Sequence, residues 1–160
     1  MHDATLNIQL SGELSALRKL GIDESKLGDY KVLCLPENVF TTQRVEELHE
    51  GGDALYLAKS LRAAGISCAT AYDFGLDVQS LERRSKDRWL GTVWIRDIVA
   101  VPFVVGILSG LVVNKISEEQ PKPKVHVDMY IERGPNITKM SYSGDGDSLV
   151  KMLQALNAEK

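Results

Sequence analysis

The sequence is poor in cysteine and has no excess of positive charge. Its 160 residues include two cysteines, Cys34 and Cys68, and carry a formal net charge of −3. Each cysteine stands in a short apolar segment, where a free thiol behaves as a small hydrophobic side chain, so we expect both to be reduced core residues. A general nucleic-acid binder needs a basic surface, and the net negative charge argues against that function.

Targeting and catalytic signatures are also missing. The opening residues MHDATLNIQL contain neither the basic nor the apolar segment of a secretory signal, so we expect a cytoplasmic protein. The sequence has no G-x-G-x-x-G, no G-x-x-x-x-G-K-S/T, and no serine or cysteine in the context of a known nucleophile motif. These absences predict no catalytic residue, no cofactor and no resident metal.

What the sequence does have is one long apolar segment. Ile98 to Val113, IVAVPFVVGILSGLVV, has Ser109 as its only polar side chain. Pro102 cannot donate a sheet hydrogen bond but suits the first turn of a helix, so we predict a helix from about Pro102 to about Glu119. Apolar side chains occur on every side of this helix, and a helix of that kind is buried all round. We therefore expect it to lie deep in the structure, without contact with solvent.

Three surroundings suit such a helix: the domain core, a subunit interface or a bilayer. As a helix, the sixteen residues of the apolar segment would be about 24 Å long, at about 1.5 Å per residue. The hydrocarbon core of a bilayer is roughly 30 Å thick, so the bilayer is the least favoured of the three. Gly106 and Gly110 form a stripe of small residues against which a second helix, or the protein's own sheet, can pack closely. The candidate interface residues are Pro102, Phe103, Gly106, Ser109, Gly110 and Val113.

The remaining patterns predict a single α/β domain over residues 1–160. The apolar segments Lys31 to Leu35 and Ser67 to Tyr72 flank an amphipathic helix that Asp53 begins, an order that gives two parallel strands with a helix on one face. Lys124 to Glu132 alternates apolar and polar residues, and Asn136 to Ser143 is its return strand. We expect a mixed sheet of about five strands, with this hairpin antiparallel. This unit of strand, helix and strand resembles those of many Rossmann-like domains. The resemblance concerns the fold and not the function.

Other segments give weaker predictions. A strand from Ala4 to Leu10 precedes a short helix that Gly21 ends. Asp77 is expected to begin a helix that carries Trp89 on its inner side, and a last helix follows the sequence GDGDS. Thr92 to Val101 is compatible with either a strand or a helix.

A phosphate-binding site is the main alternative suggested by local sequence. Gly51, Gly52 and Asp53 precede a helix, whose N-terminal amides can hold a phosphate. Glu37 and Asp73 follow the two parallel strands, and open α/β sheets bind ligands beyond the carboxyl ends of their strands. An aspartate at the helix start would repel an anion, so plain helix initiation is the favoured interpretation of Gly51 to Asp53.

The other polar clusters favour structural interpretations. One face of the strand that contains His126 and Asp128 could supply metal ligands or a base, but an exposed hairpin face explains it more simply; that face comprises His126, Asp128, Tyr130 and Glu132. Asp145, Asp147 and Ser148 resemble the start of a calcium loop, but the position that a bidentate glutamate would occupy is Leu156, so a helix cap is expected.

His49 stands among glutamates and is expected to be solvated. The basic side chains near Trp89 alternate with acidic ones and are expected to form a mixed charged surface; they are Arg83, Arg84, Lys86 and Arg88.

These observations favour an interaction function. We expect an accessory protein of a prokaryotic multiprotein system that has no catalytic activity and self-associates or docks a larger protein. The first alternative is a Rossmann-like nucleotide-binding sensor or hydrolase that uses Glu37, Gly51 to Asp53 and Asp73. The second is a protein that associates with membranes through residues 98–113.

Overall fold

The chain folds into eight strands and four α-helices within the residues that the structure describes. The computed structural model describes residues 2–22, 24–42, 44–80, 87–111 and 123–158. The strands are β1 (His2–Gln9), β2 (Val32–Leu35), β3 (His49–Glu50), β4 (Cys68–Thr70), β5 (Gln79–Ser80), β6 (Arg88–Ile95), β7 (Lys124–Arg133) and β8 (Asn136–Asp145). The helices are α1 (Leu10–Lys19), α2 (Ala54–Ala63), α3 (Val101–Leu111) and α4 (Gly146–Ala158), with 3-10 turns at Glu24–Asp29, Val45–Glu47, Ala71–Phe74 and Ile98–Ala100.

Six of the strands form one mixed sheet in the order β1-β8-β7-β6-β2-β4. β2 and β4 are parallel and are joined through α2, and β7 and β8 form an antiparallel hairpin. The predicted mixed α/β fold, with its parallel pair and its C-terminal hairpin, is therefore confirmed. β6 links the two parts, because it is antiparallel to β2 and parallel to β7. β3 and β5 form a separate parallel pair.

Helices cover both faces of this sheet. On one face, α2, α3 and α4 contribute apolar side chains to a core that includes Leu57, Val104 and Leu153. On the other face, Leu17 of α1 and Leu20, which follows the helix, pack with buried residues of the central strands. Because β2 is covered on both sides, all four of its residues are buried, which explains its continuous apolar sequence.

The apolar helix α3 packs into the core on one side only. Val104, Val105 and Leu108 are buried, whereas Phe103 is 44% exposed and Gly106 lies at the surface. The expectation that no side of this helix meets solvent is therefore wrong. The reason is architectural: α3 contacts the neighbouring helices α2 and α4, and within the described residues no second helical layer covers its outer side. The predicted continuation over 112–119 lies outside the described residues.

Among the local predictions, one is wrong and two hold. The helix expected from Asp77 is wrong where the structure describes it, since β5 and β6 occupy its two ends and Trp89 lies in β6; residues 81–86 lie outside the described residues. Leu90 to Ile95 of β6 are all buried, so this strand has no alternation of apolar and polar residues, and a register shift between Trp89 and Thr92 makes it irregular. Gly21, at φ +92°, ends α1 as predicted. The two cysteines, Cys34 and Cys68, are buried free thiols, also as predicted.

Candidate functional site

A row of side chains crosses three adjacent strands on the sheet face that α1 partly covers. In the register of the sheet, Trp89 of β6 lies beside His126 of β7, and His126 lies beside Ser143 of β8. Residues paired in this way project from the same face of a sheet. Thr92, Asp128 and Ser141 form the next row, two residues further along each of β7 and β8.

His126 is held by contacts at both ring nitrogens and on one ring face. Its Nδ1 lies 2.7 Å from the Ser143 Oγ, and its Nε2 lies 3.0 Å from the Asp87 Oδ2. The other oxygen of Asp87 accepts a hydrogen bond from the Lys124 backbone amide at 3.0 Å. The Trp89 ring stacks on the imidazole, with 3.8 Å between centroids and 13° between planes. The imidazole is therefore fixed in both position and orientation.

These contacts determine which imidazole nitrogen carries the proton. An ionised carboxylate can only accept hydrogen bonds, so the neutral His126 ring donates its Nε2–H to Asp87. The lone pair of Nδ1 is then free to accept the Ser143 hydroxyl proton. The chain Asp87, His126, Ser143 thus has the donor and acceptor order of a base that acts on a serine, in which the carboxylate sets the tautomer.

A cavity of about 250 Å³ lies over this row. Glu37 and Asp128 bring carboxylates to its wall, and no lysine or arginine is among the described residues that line it. A second cavity of about 230 Å³ shares Glu37 and Asp128 with it and extends toward Lys139. The first cavity is lined by Glu37, Trp89, Gly91, His126, Val127, Asp128, Ser141, Tyr142 and Ser143.

The polar face of β7 is not the exposed hairpin face that its sequence suggested. Tyr130 is 2% exposed, and burial, with Glu13 and Asp128 nearby, raises its pKa. Glu132 is largely buried and accepts hydrogen bonds from the Trp94 Nε1 and the Arg96 Nε, each at 2.8 Å. This face is partly covered because β7 lies inside the sheet between β6 and β8, where other elements pack on both faces.

The structure places Gly51, Gly52 and Asp53 against β6. Asp53 exchanges two hydrogen bonds with Trp89: its backbone amide donates to the Trp89 carbonyl at 2.9 Å, and its carboxylate accepts from the Trp89 amide at 2.9 Å. Gly51 lies so close that a Cβ there would come within 2.4 Å of the Trp89 carbonyl oxygen. Gly52 is exposed. The Asp53 side chain makes no capping hydrogen bond to α2, so these residues attach the start of α2 to the sheet.

Glu37 and Asp73 follow the parallel strands as expected, but they make different contacts. Glu37 lines the cavity described above and lies 3.5 Å from the His49 Nε2. Asp73 accepts from the Thr70 backbone amide and from the Arg62 guanidinium, both at 2.7 Å. Although its partial burial acts in the opposite direction, these hydrogen bonds and the Arg62 charge lower the pKa of Asp73.

The outer side of α3 carries most of the candidate interface residues. Phe103 and Gly106 are exposed, and Pro102, Ser109 and Gly110 are half-buried. Ile98 and Val99, which precede the helix, are 39% and 60% exposed. Between Ile98 and Leu111 the sequence has no charged side chain. The candidate Val113 lies outside the described residues.

The calcium-loop and metal-site alternatives receive no support from the described residues. The Asp145 carboxylate accepts the Ser148 backbone amide at 2.9 Å, as the helix-cap interpretation expects, and this bond lowers the pKa of Asp145. Within the described ranges, no group of three or more His, Cys, Asp or Glu side chains is arranged to hold a metal ion. Arg88 lies 3.4 Å from Asp53, whereas Arg83, Arg84 and Lys86 lie outside the described residues.

From the sequence, His126 and Asp128 were considered as a base or metal ligands but interpreted as an exposed hairpin face, and no role was predicted for Asp87, Trp89 or Ser143. One of these could have been found from the sequence. The hairpin turns at Gly134 and Pro135, and a turn of that length pairs Arg133 with Asn136 and therefore His126 with Ser143. Asp87 and Trp89 reach the site through the parallel contact of β6 with β7, which no local pattern encodes.

Comparison with protein-family models, with curated proteins and with solved structures found no match. Among the described residues, every helix is too short or too polar to cross a bilayer.

Proposed function

We propose that this protein is a self-associating accessory protein and that the outer side of α3 pairs with the same surface of a second copy. The exposed apolar surface at Ile98, Val99 and Phe103 is the observation that supports the proposal. Single exposed apolar residues are common on monomers, whereas contiguous apolar patches mark contact sites.

The shape of α3 favours a second copy over an unrelated protein. Phe103 and Gly106 are three residues apart and therefore share one side of the helix. Phe103 is bulky, and a Cβ at Gly106 would meet no atom within 4 Å, so a projection and a gap lie next to each other. A two-fold axis can seat each Phe103 over the partner's Gly106, which is the self-complementarity that an isologous dimer needs.

Molar mass in solution tests the proposal. Analytical ultracentrifugation of the wild-type chain over a range of concentrations should show a reversible dimer. Phe103→Glu should give a folded monomer whose melting temperature no longer depends on protein concentration, because a charge at this exposed position opposes association without entering the core. Gly106→Leu should also weaken the dimer by filling the gap.

Tyr56→Glu is the matched control. Tyr56 lies on α2 and is 43% exposed, close to the exposure of Phe103. Tyr56→Glu therefore introduces the same charge at a similarly exposed position on a different helix. Its sedimentation should match that of the wild type. A wild-type chain that stays monomeric at every concentration, or a Phe103→Glu variant that still dimerises, would refute the proposal.

A further inference from the structure

We propose that Ser143 is a nucleophile, activated by His126 and Asp87, which hydrolyses small esters in the cavity over the sheet. The proposal goes beyond self-association and does not depend on it. It rests on the hydrogen-bonded chain from Asp87 through His126 to Ser143, on the Trp89 ring that holds the imidazole, and on the cavity into which Ser143 and His126 open.

The geometry assigns the proton its route. The Ser143 Oγ attacks the ester carbonyl carbon while its proton passes to the His126 Nδ1, 2.7 Å away. The bond from the carbonyl carbon to the alkoxy oxygen then breaks, and the departing alcohol takes the proton from Nδ1. A water molecule next attacks the acyl group and gives a proton to Nδ1. The acyl carbon to Ser143 Oγ bond breaks, Oγ recovers its proton, and the carboxylic acid leaves.

Two neighbours stabilise the imidazolium that forms at each step. The Asp87 carboxylate lies 3.0 Å from Nε2 and opposes the new positive charge. The Trp89 ring presents its negative face to the same imidazole at a centroid distance of 3.8 Å. Asp87 is not among the residues that line the cavity, so it is a positioning residue, whereas Ser143 and His126 are catalytic residues.

The cavity determines the substrate class. Its volume of about 250 Å³ admits a small molecule only. Its described lining includes the carboxylates of Glu37 and Asp128 and no lysine or arginine, so these carboxylates repel a negatively charged acyl group. We therefore infer a short, uncharged ester.

Covalent labelling of the wild-type protein is the first test. After incubation with p-nitrophenyl acetate and rapid acid quenching, peptide mass spectrometry should find one acetyl group on Ser143. Acetyl groups found only on lysine residues, or no acetylation at all, would overturn the proposal, and this result does not depend on whether any variant folds.

Kinetics then separate the roles. Ser143→Ala should reduce p-nitrophenyl acetate hydrolysis to the rate without protein, whereas Ser15→Ala, at an exposed position on α1, should retain the wild-type rate. Asp87→Asn should lower kcat on the order of 10²- to 10⁴-fold with little change in KM, because the amide no longer sets the His126 tautomer. The singly charged p-nitrophenyl succinate should show kcat/KM roughly tenfold or more below that of the acetate. Equal rates for the Ser143→Ala variant and the wild type would refute the nucleophile assignment.

Discussion

At the scale of single residues, the clearest feature is the buried polar contact at Glu132. One carboxylate oxygen accepts both the Trp94 indole N–H and the Arg96 guanidinium N–H, and Trp94 is fully buried. A buried donor that loses its acceptor costs free energy, because water cannot replace the missing bond. Glu132 is therefore expected to stabilise the sheet although it contributes no apolar area.

Truncation of Glu132 tests this interpretation. Glu132→Ala should lower the free energy of unfolding by about 1–3 kcal/mol, since it leaves the Trp94 Nε1 without its acceptor. Glu132→Gln should cost less, because an amide oxygen still accepts from Trp94 while the ion pair with Arg96 is lost. Urea denaturation followed by tryptophan fluorescence measures both changes. Equal stability of the alanine variant and the wild type would contradict the expectation.

At the scale of elements, the start of α2 is attached to β6 by backbone contacts. Gly51→Ala would place a Cβ within 2.4 Å of the Trp89 carbonyl oxygen and 2.7 Å of the Gly91 amide nitrogen. Neither backbone atom can move without distorting β6, so we expect a loss of about 1–3 kcal/mol or more. Thermal unfolding measures it, with Gly52→Ala as the control, because a Cβ at Gly52 meets no atom within 4 Å. Similar melting temperatures for the two variants would show that the contact is unimportant.

The elements also show what the sequence could predict. The parallel unit of β2, α2 and β4 and the hairpin of β7 and β8 follow from local periodicity and turn residues, and both were predicted correctly. The start of β6 was predicted as the end of a helix and the rest as either strand or helix. Because β6 is buried on both faces from Leu90 to Ile95, its sequence lacks the alternation that marks a strand. The candidate site is built from β6, β7 and β8 together. Only its hairpin half, His126 and Ser143, could be derived from local sequence.

The exposure of one side of α3 likewise could not be predicted from its sequence. An apolar helix has the same composition whether one or two layers of protein surround it. The number of layers depends on how many helices the rest of the chain places on that face, which is a property of the whole fold. Sequence therefore indicated a helix in the core, and the exposed side emerged only with the positions of α2 and α4.

At the scale of the whole molecule, two carboxylates give opposite contributions to the pH dependence of stability. Burial raises the pKa of Glu50, in spite of a hydrogen bond from Tyr72. The folded state thus binds this proton more tightly than the unfolded state, and stability falls as pH rises through the usual glutamate range. The lowered pKa of Asp73 contributes stability above the usual aspartate range, and this contribution is lost as pH falls through the folded pKa.

Neutral substitutions separate the two contributions. Glu50→Gln should raise the melting temperature relative to the wild type at pH 7, and the gain should disappear below the usual glutamate pKa of about 4.3. Asp73→Asn should lower the melting temperature at pH 7, and its loss should shrink toward pH 3. Calorimetry across this range measures both. Differences that do not vary with pH would mean that packing, and not ionisation, dominates at these positions.

The pairing of β1 with β8 has a consequence for biosynthesis. Of the described strands, β1 is translated first and β8 last. Until then the backbone groups of β1 have no sheet partner, and an unpaired strand is a site for aggregation or chaperone binding. Completion of this edge of the sheet therefore waits for translation of the C-terminal hairpin, and nascent chains that stall before β8 are the species most exposed to quality control.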